Sequence, residues 1–112
     1  MSYQLMSYQS SAIAVTVLLC ATSIKAMANE HEVGQKNKAF TVKALTIKQG
    51  DTVSFPNFDS FFHNVYSLSD VKSFDLGSYK QGETKKLKFD EKGIIEVECA
   101  IHPKMQMTIT VE

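Results

Sequence analysis

The sequence predicts an all-β domain, an antiparallel sandwich or barrel, that follows an N-terminal export signal. Apolar and polar side chains alternate in short runs from residue 39 onward, which is the two-residue period of a half-buried strand. Glycine-containing turn sequences separate these runs at 48–51 (KQGD), 80–83 (KQGE) and 90–93 (DEKG). No ten-residue amphipathic helical pattern follows residue 28. About six to eight short strands with turns between them favour a sandwich or a barrel.

The first 28 residues have the features of a signal peptide. Residues 12–24 (AIAVTVLLCATSI) are mostly apolar, a run too short to span a bilayer but typical of a signal-peptide core. Ala26-Met27-Ala28 then supplies a small-x-small cleavage site. We expect cleavage after Ala28 and a periplasmic protein. Because no basic residue precedes the apolar run and Lys25 follows it, an uncleaved membrane anchor is the alternative.

The chain after residue 28 divides into a leader and a domain. Residues 29–37 are polar and lack periodicity, which predicts a flexible leader. Residues 38–112 carry the strand pattern. The phase of the alternation slips between Phe40 and Leu45, which predicts a bend or bulge near Ala44.

The later strands frame an aromatic loop. Pro56 cannot donate to a strand ladder, so we expect its strand to end there or to lie at an edge. The loop at 57–62 (NFDSFF) precedes a strand that opens at His63, and we expect its phenylalanines to contribute mainly to the core. In the segment 94–100 (IIEVECA), alternation places Cys99 on the buried face.

Composition excludes one class of partner and gives no sign of catalysis. The formal net charge is zero, and all 12 basic residues are lysine. Since arginine is the preferred residue for bidentate phosphate recognition, we expect no nucleic-acid binding. Membrane contact would require an uncleaved signal. No acid–base pair or activated nucleophile is evident, so we expect a monomer that is not an enzyme.

Three potential metal ligands lie within seven residues near the C-terminus. Cys99 ends a strand, His102 follows in a short loop stiffened by Pro103, and Met105 opens the last strand. His63 opens a strand after the aromatic loop and is placed to reach the same end of a sandwich. Each residue alone is more typical of a core or surface position. Together, two histidines, a cysteine and a weak axial methionine form the ligand set of a blue-copper site.

These residues also carry a family resemblance. The pair HN at 63–64 with CAIHPKM at 99–105 resembles the cupredoxins of the amicyanin, pseudoazurin and plastocyanin type, over residues 40–111. The resemblance implies a Greek-key β-sandwich that binds one copper ion, which alternates between Cu(I) and Cu(II). It implies four copper ligands, namely His63, Cys99, His102 and Met105.

The resemblance further implies that Asn64 ties its loop to the cysteine loop by a hydrogen bond. The sequence departs from the family pattern at Ala100 and Ile101, where relatives often carry Thr and Pro. The choice of methionine stays open, because Met107 faces the same way as Met105 and gives the longer spacing seen in other cupredoxins.

The sequence therefore predicts an exported type 1 copper protein that carries one electron between redox proteins. Donor and acceptor would dock transiently near His102, and Lys104 beside it would favour an acidic partner surface. A copper storage or delivery protein without fast redox cycling is the first alternative. A structural zinc site with the same two histidines and cysteine is the second.

His31 raises a separate hypothesis. If cleavage follows Ala28, the chain begins Asn29-Glu30-His31. A free amine, two backbone amides and an imidazole at the third position can wrap Cu(II) or Ni(II) in a square plane. A histidine in a flexible tail is the favoured interpretation.

Overall fold

The computed structural model of the protein describes residues 27–112, so the predicted signal peptide lies almost entirely outside the described residues. The described part contains ten strands and no helix that is long and apolar enough to cross a membrane. The strands are β1 (Glu30–Glu32), β2 (Gln35–Lys36), β3 (Ala39–Phe40), β4 (Ala44–Ile47), β5 (Thr52–Pro56), β6 (His63–Ser69), β7 (Lys72–Tyr79), β8 (Thr84–Lys88), β9 (Gly93–Glu98) and β10 (Gln106–Val111).

The strands form two main sheets that share one core. The larger sheet has the order β4-β10-β9-β6-β7, the smaller has the order β1-β5-β8, and β2 pairs with β3. Buried side chains from both sheets make one hydrophobic cluster, which includes Val53, Phe55, Ile95 and Ile109. This arrangement confirms the predicted β-sandwich. Two pairings, β1 with β5 and β4 with β10, are parallel, so the sheets are mixed where an antiparallel arrangement was expected.

Alternation along β9 and β10 orients the last two strands as predicted. Ile95, Val97 and Cys99 are almost fully buried, while the residues between them are more exposed. In the antiparallel register of these strands Met107 lies opposite Val97 and Ile109 opposite Ile95. The two strands therefore present one continuous apolar face to the core.

The prediction of a flexible leader at 29–37 is wrong. β1 pairs with β5, β2 pairs with β3, and Val33 and Gln35 are completely buried. The ordered domain thus begins near residue 30 and not at residue 38. The segment is polar because it contributes mainly backbone hydrogen bonds to strands distant in sequence, and local periodicity does not reveal such pairing.

The predicted interruptions of the strands near Ala44 and at Pro56 are present, but the phenylalanines of the aromatic loop do not all lie in the core. β3 ends at Phe40 and β4 begins at Ala44, and Pro56 is the last residue of β5. Phe58 and Phe62 are 46% and 57% exposed, so their predicted core role is wrong. The core is already filled from the strands, and this loop lies beyond the strand ends.

Candidate metal centre

The loop between β9 and β10 brings two of the predicted ligands together. Cys99 follows β9 directly and is buried, and His102 lies partly exposed in the loop. The backbone N–H of Met105 donates to the carbonyl of His102 at 2.9 Å, and that of Cys99 donates to the carbonyl of Met105 at 3.3 Å. These bonds close the loop into a tight turn, so the thiol and the imidazole return to one point.

His63 reaches the same point from β6, the strand beside β9 in the larger sheet. It opens β6 and is fully buried. The Cys99 Sγ lies 3.8 Å from the Nδ1 of His63 and 3.9 Å from the Nδ1 of His102. The three ligand atoms all lie within 4.8 Å of one another, so the structure arranges His63, Cys99 and His102 as a metal site.

The spacing fits one tightly bound ion. A thiolate sulfur about 2.3 Å and an imidazole nitrogen about 2.0 Å from a common ion lie roughly 3.5–3.9 Å apart when the angle between the bonds is about 110–130°. The two sulfur–nitrogen distances, 3.8 and 3.9 Å, fall in this range. One thiol and two imidazoles also form a donor set that suits copper in both oxidation states.

Ring packing fixes the two imidazoles. The Phe61 ring lies 5.2 Å from the His63 ring and 5.3 Å from the His102 ring, measured between centroids, and the two imidazoles lie 5.0 Å apart. The Lys38 ammonium in turn lies 5.7 Å from the centre of the Phe61 ring. Phe61 thus supports the site, whereas its two neighbouring phenylalanines face solvent.

Asp59 orients His63. The Nε2 of His63 donates to the Asp59 carboxylate at 2.7 Å, which leaves the Nδ1 lone pair facing the thiol. The same carboxylate accepts the backbone N–H groups of Asn37 (2.7 Å) and Lys38 (3.1 Å). Burial alone would raise the pKa of Asp59, but these hydrogen bonds, led by that from His63, hold its pKa below the usual value. A histidine ligand commonly donates its other ring N–H to a carboxylate in this way.

Asn57 shapes the loop that carries Asp59. Its Oδ1 accepts the Asp59 N–H at 2.8 Å, and its Nδ2 donates to the carbonyls of Phe61 (2.8 Å) and Tyr79 (3.0 Å). Neither Asp59 nor Asn57 was predicted from the sequence. A signal exists for Asp59, since it precedes His63 by four residues, but that spacing joins side chains only once the loop conformation is known.

Asn64 is buried beside His63, but it does not make the predicted bond to the cysteine loop. Its Nδ2 donates to the Asp75 carboxylate on β7 at 2.8 Å. The pairing of β6 with β7 also shifts its register between Asn64 and Tyr66. The shift leaves two residues of β7, Leu76 and Gly77, opposite the single residue Val65 of β6.

The two candidate methionines differ in their distance from the loop. Both are buried, at 1% exposed for Met105 and 2% for Met107. The Cys99–Met105 backbone bond places these two residues opposite each other, whereas Met107 pairs with Val97. Met107 therefore lies two residues, or about 7 Å, farther along the strand.

One edge of the site meets solvent. A shallow groove there is lined by Lys38, Ile101, His102, Pro103 and Lys104. Ile101 is 48% exposed. Partial burial lowers the pKa of His102, and the nearby His63 and Lys38 lower it further. The neutral imidazole needed by a metal is thereby favoured.

The favoured interpretation of His31, a histidine in a flexible tail, is wrong because β1 pairs with β5, and the alternative square-planar site has no support in the fold. The Nε2 of His31 contacts the Asp51 carboxylate at 2.9 Å. The backbone of 30–32 is extended and paired with β5, so its amides cannot wrap an ion without leaving the sheet.

The fold and the site together define a small β-sandwich protein with a two-imidazole, one-thiol metal centre. The chain belongs to the plastocyanin/azurin family of copper binding proteins, whose sequence model matches residues 25–112. Copper is therefore its cofactor, and the predicted cupredoxin resemblance is confirmed.

Individual relatives agree with this assignment. The chain is 28% identical over 100 residues to the methylamine utilization protein MauL of Methylorubrum extorquens. The aligned residues cover 88% of each chain. The reduced Cu(I) form of an amicyanin mutant superposes with a TM-score of 0.69 at 27% identity, over 74% of this chain and 82% of that one. A copper-containing nitrite reductase from Thermus scotoductus superposes with a TM-score of 0.70 at 26% identity, over 74% of this chain but only 22% of its own.

Proposed function

We propose that this protein is an exported type 1 copper protein that carries one electron between redox proteins. The supporting observation is the convergence of His63, Cys99 and His102 within 4.8 Å at one end of the sandwich. In this proposal the three residues would bind copper, with Met105 as a fourth and weaker ligand. The bound copper supplies the redox chemistry, since it accepts one electron as Cu(II) and releases it as Cu(I).

The surroundings of the ligands favour electron transfer over simple storage. The Asp59 carboxylate holds one imidazole at 2.7 Å, and Phe61 packs against both rings. The backbone N–H of Cys99 donates to the carbonyl of Met105 within the loop. Groups held in this way rearrange little between oxidation states, and small rearrangement makes transfer fast.

His102 supplies the route for the electron. It is the partly exposed ligand, and it lies in the groove beside Ile101 and Pro103. We propose that donor and acceptor proteins dock on this apolar edge, weakly and transiently as redox partners usually do. Lys38 and Lys104 border the groove, so an acidic partner surface would associate faster.

Export and the absence of catalysis belong to the same proposal. Processing after Ala28 would leave Cys99 as the single cysteine, and a bound metal would protect that thiol in an oxidising compartment. We assign no substrate reaction to the centre. The nitrite reductase matches this chain over 22% of its own length only, so its chemistry is not carried over.

Copper addition followed optically tests the proposal. Cu(II) added to the metal-free protein should give an intense visible absorption band from a copper–thiolate bond, with one ion bound per chain. Cys99→Ser and His63→Gln should each lose the band. His31→Gln is the matched control and should keep it, since His31 lies in the other sheet against Asp51.

Voltammetry then separates the carrier from its alternatives. A carrier gives a reversible one-electron wave with fast exchange. Slow redox with rapid copper release to a chelator would instead support the delivery protein. A colourless protein that retains zinc in preference to copper would overturn the redox function altogether.

A further inference from the structure

A buried carboxylate lies far from the copper centre, at the point where the chain enters the fold. Asp51 precedes β5, and its side chain is only 4% exposed. Its Oδ1 accepts the backbone N–H of Asn29 at 2.9 Å. Its Oδ2 lies 2.9 Å from the Nε2 of His31 and accepts the backbone N–H of Lys48 at 3.0 Å.

The hydrogen-bond partners of Asp51 do not include a permanent positive charge. Two of them are backbone amides, and His31 is charged only when protonated. These contacts, led by the His31 hydrogen bond, lower the pKa of Asp51 to about 2, so the carboxylate is ionised at neutral pH. Burying an ionised group is costly unless a cation is close.

Asn29 is the first residue that joins the sheets. Its carbonyl accepts the N–H of Thr52 at 3.0 Å, and β1 begins one residue later. Just before it, Met27 is 88% exposed and Ala28 is exposed. β1 is also an edge strand of its sheet. The chain on the amino side of Asn29 is therefore exposed, whereas Asn29 itself is bonded to the domain through its N–H and its carbonyl.

Two independent observations thus meet at one bond. The small-x-small sequence places a cleavage site after Ala28. The structure places the next nitrogen, that of Asn29, 2.9 Å from a buried carboxylate.

We infer that hydrolysis of the Ala28–Asn29 bond creates an α-ammonium group that pairs with Asp51 and so anchors the mature N-terminus. In this reaction, catalysed by a signal peptidase, the bond between the Ala28 carbonyl carbon and the Asn29 nitrogen breaks. Water supplies the hydroxyl of the new Ala28 carboxyl group and a hydrogen for the new amine. The amine takes one further proton from solvent near neutral pH, because an α-amine ordinarily has a pKa of about 8.

Removal of the signal peptide would therefore add an ionic contact to the domain as well as release the protein. Before cleavage the Asn29 nitrogen is a neutral amide donor; afterwards it is a cation in the same place. A hydrogen bond between two charged groups is stronger than one with a single charge. The proposal is independent of copper and would hold for the metal-free protein.

The test uses the full-length chain expressed in an exporting host. Intact mass should show that the exported protein begins at Asn29. A second chain, with Gly-Ser inserted between Ala28 and Asn29, keeps that nitrogen as a neutral amide after processing. Its Tm should be lower by about 4 °C, the order expected for losing one partly buried ionic contact in a domain of this size.

Asp51→Asn completes a double-mutant cycle. In that background the insertion should leave the Tm nearly unchanged, whereas it should keep its full effect with Asp70→Asn, a control at an exposed turn residue. If Asp51→Asn does not fold, NMR titration of the Asn29 α-amine decides the question, and its pKa should exceed the ordinary value. A different first residue, an insertion without effect on Tm, or an ordinary amine pKa would each overturn the inference.

Discussion

Asp59→Asn tests whether the carboxylate behind His63 tunes the copper centre. The substitution keeps the shape of the side chain but removes its negative charge and turns one acceptor into a donor. The carboxylate would stabilise Cu(II) more than Cu(I), because its attraction to the ion grows with the charge of the ion. We therefore expect the reduction potential to rise and the affinity for Cu(II) to fall.

The geometry sets the size of this effect. The Asp59 oxygen lies 2.7 Å from the Nε2 of His63, and the width of the ring plus a bond of about 2.0 Å places the charge roughly 6–7 Å from an ion at Nδ1. At an effective dielectric constant of about 20–40 the interaction is roughly 1.3–2.5 kcal/mol. This corresponds to about 50–100 mV for one electron. Loss of such a partner typically weakens metal binding by about 10–100-fold.

Voltammetry of the copper protein and competition with a Cu(II) chelator measure the two quantities. Asp90→Asn is the matched control, because its side chain is 62% exposed in the connection between β8 and β9. The Tm of the metal-free variants separates a general loss of stability from an effect on the metal. A potential for Asp59→Asn that is unchanged or lower would refute the reasoning.

Three further predictions concern the axial ligand, the acid limit and one glycine. Met105→Leu should shift both the visible spectrum and the reduction potential, whereas Met107→Leu should leave both unchanged. Each substitution should lower the free energy of unfolding by less than about 1.5 kcal/mol. The pKa of Asp51 is lowered to about 2 from 3.8. Wild type should therefore unfold at a higher urea concentration than Asp51→Asn above pH 4, and this difference should vanish as the pH falls toward 2. Gly93→Ala should lower the free energy of unfolding by about 1–3 kcal/mol, measured by urea denaturation, because its φ is +143° and a Cβ would lie 2.6 Å from a Val71 methyl group.

Each of these has a control within the chain. Equal spectral changes in both methionine variants would contradict the assignment of Met105. Asp70→Asn, at an exposed turn residue, is the control for the acid series and should leave the urea midpoint at neutral pH unchanged. Gly82→Ala shares a positive φ of +85° but meets no atom within 4 Å, so a cost equal to that of Gly93→Ala would show that the Val71 contact contributes nothing.

Local features carried most of the successful predictions. The two-residue period predicted the buried faces of β9 and β10, because each face is fixed by a single strand's geometry. The spacing of Cys99, His102 and Met105 could be interpreted from the sequence because one short loop joins them. His63 could be added because it opens a strand directly after the aromatic loop, and the structure places its Nδ1 3.8 Å from the thiol.

The contacts that sequence reasoning missed or misplaced depend on loop conformation or on strand pairing. Asp59 accepts the backbone N–H groups of Asn37 and Lys38 across more than twenty residues, and Asn64 donates to Asp75 on the neighbouring strand β7. The polar segment at 29–37 gave no periodic signal, since it enters the sheets through backbone pairing and few buried side chains.

The sequence by itself determined an all-β fold and the identity of the side chains that can meet at a metal, because alternation and loop spacing act over a few residues. Only the tertiary structure decided which groups orient those side chains and how the chain start is held. Those choices depend on loop conformation and on hydrogen bonds between separate strands, and both are properties of the whole fold.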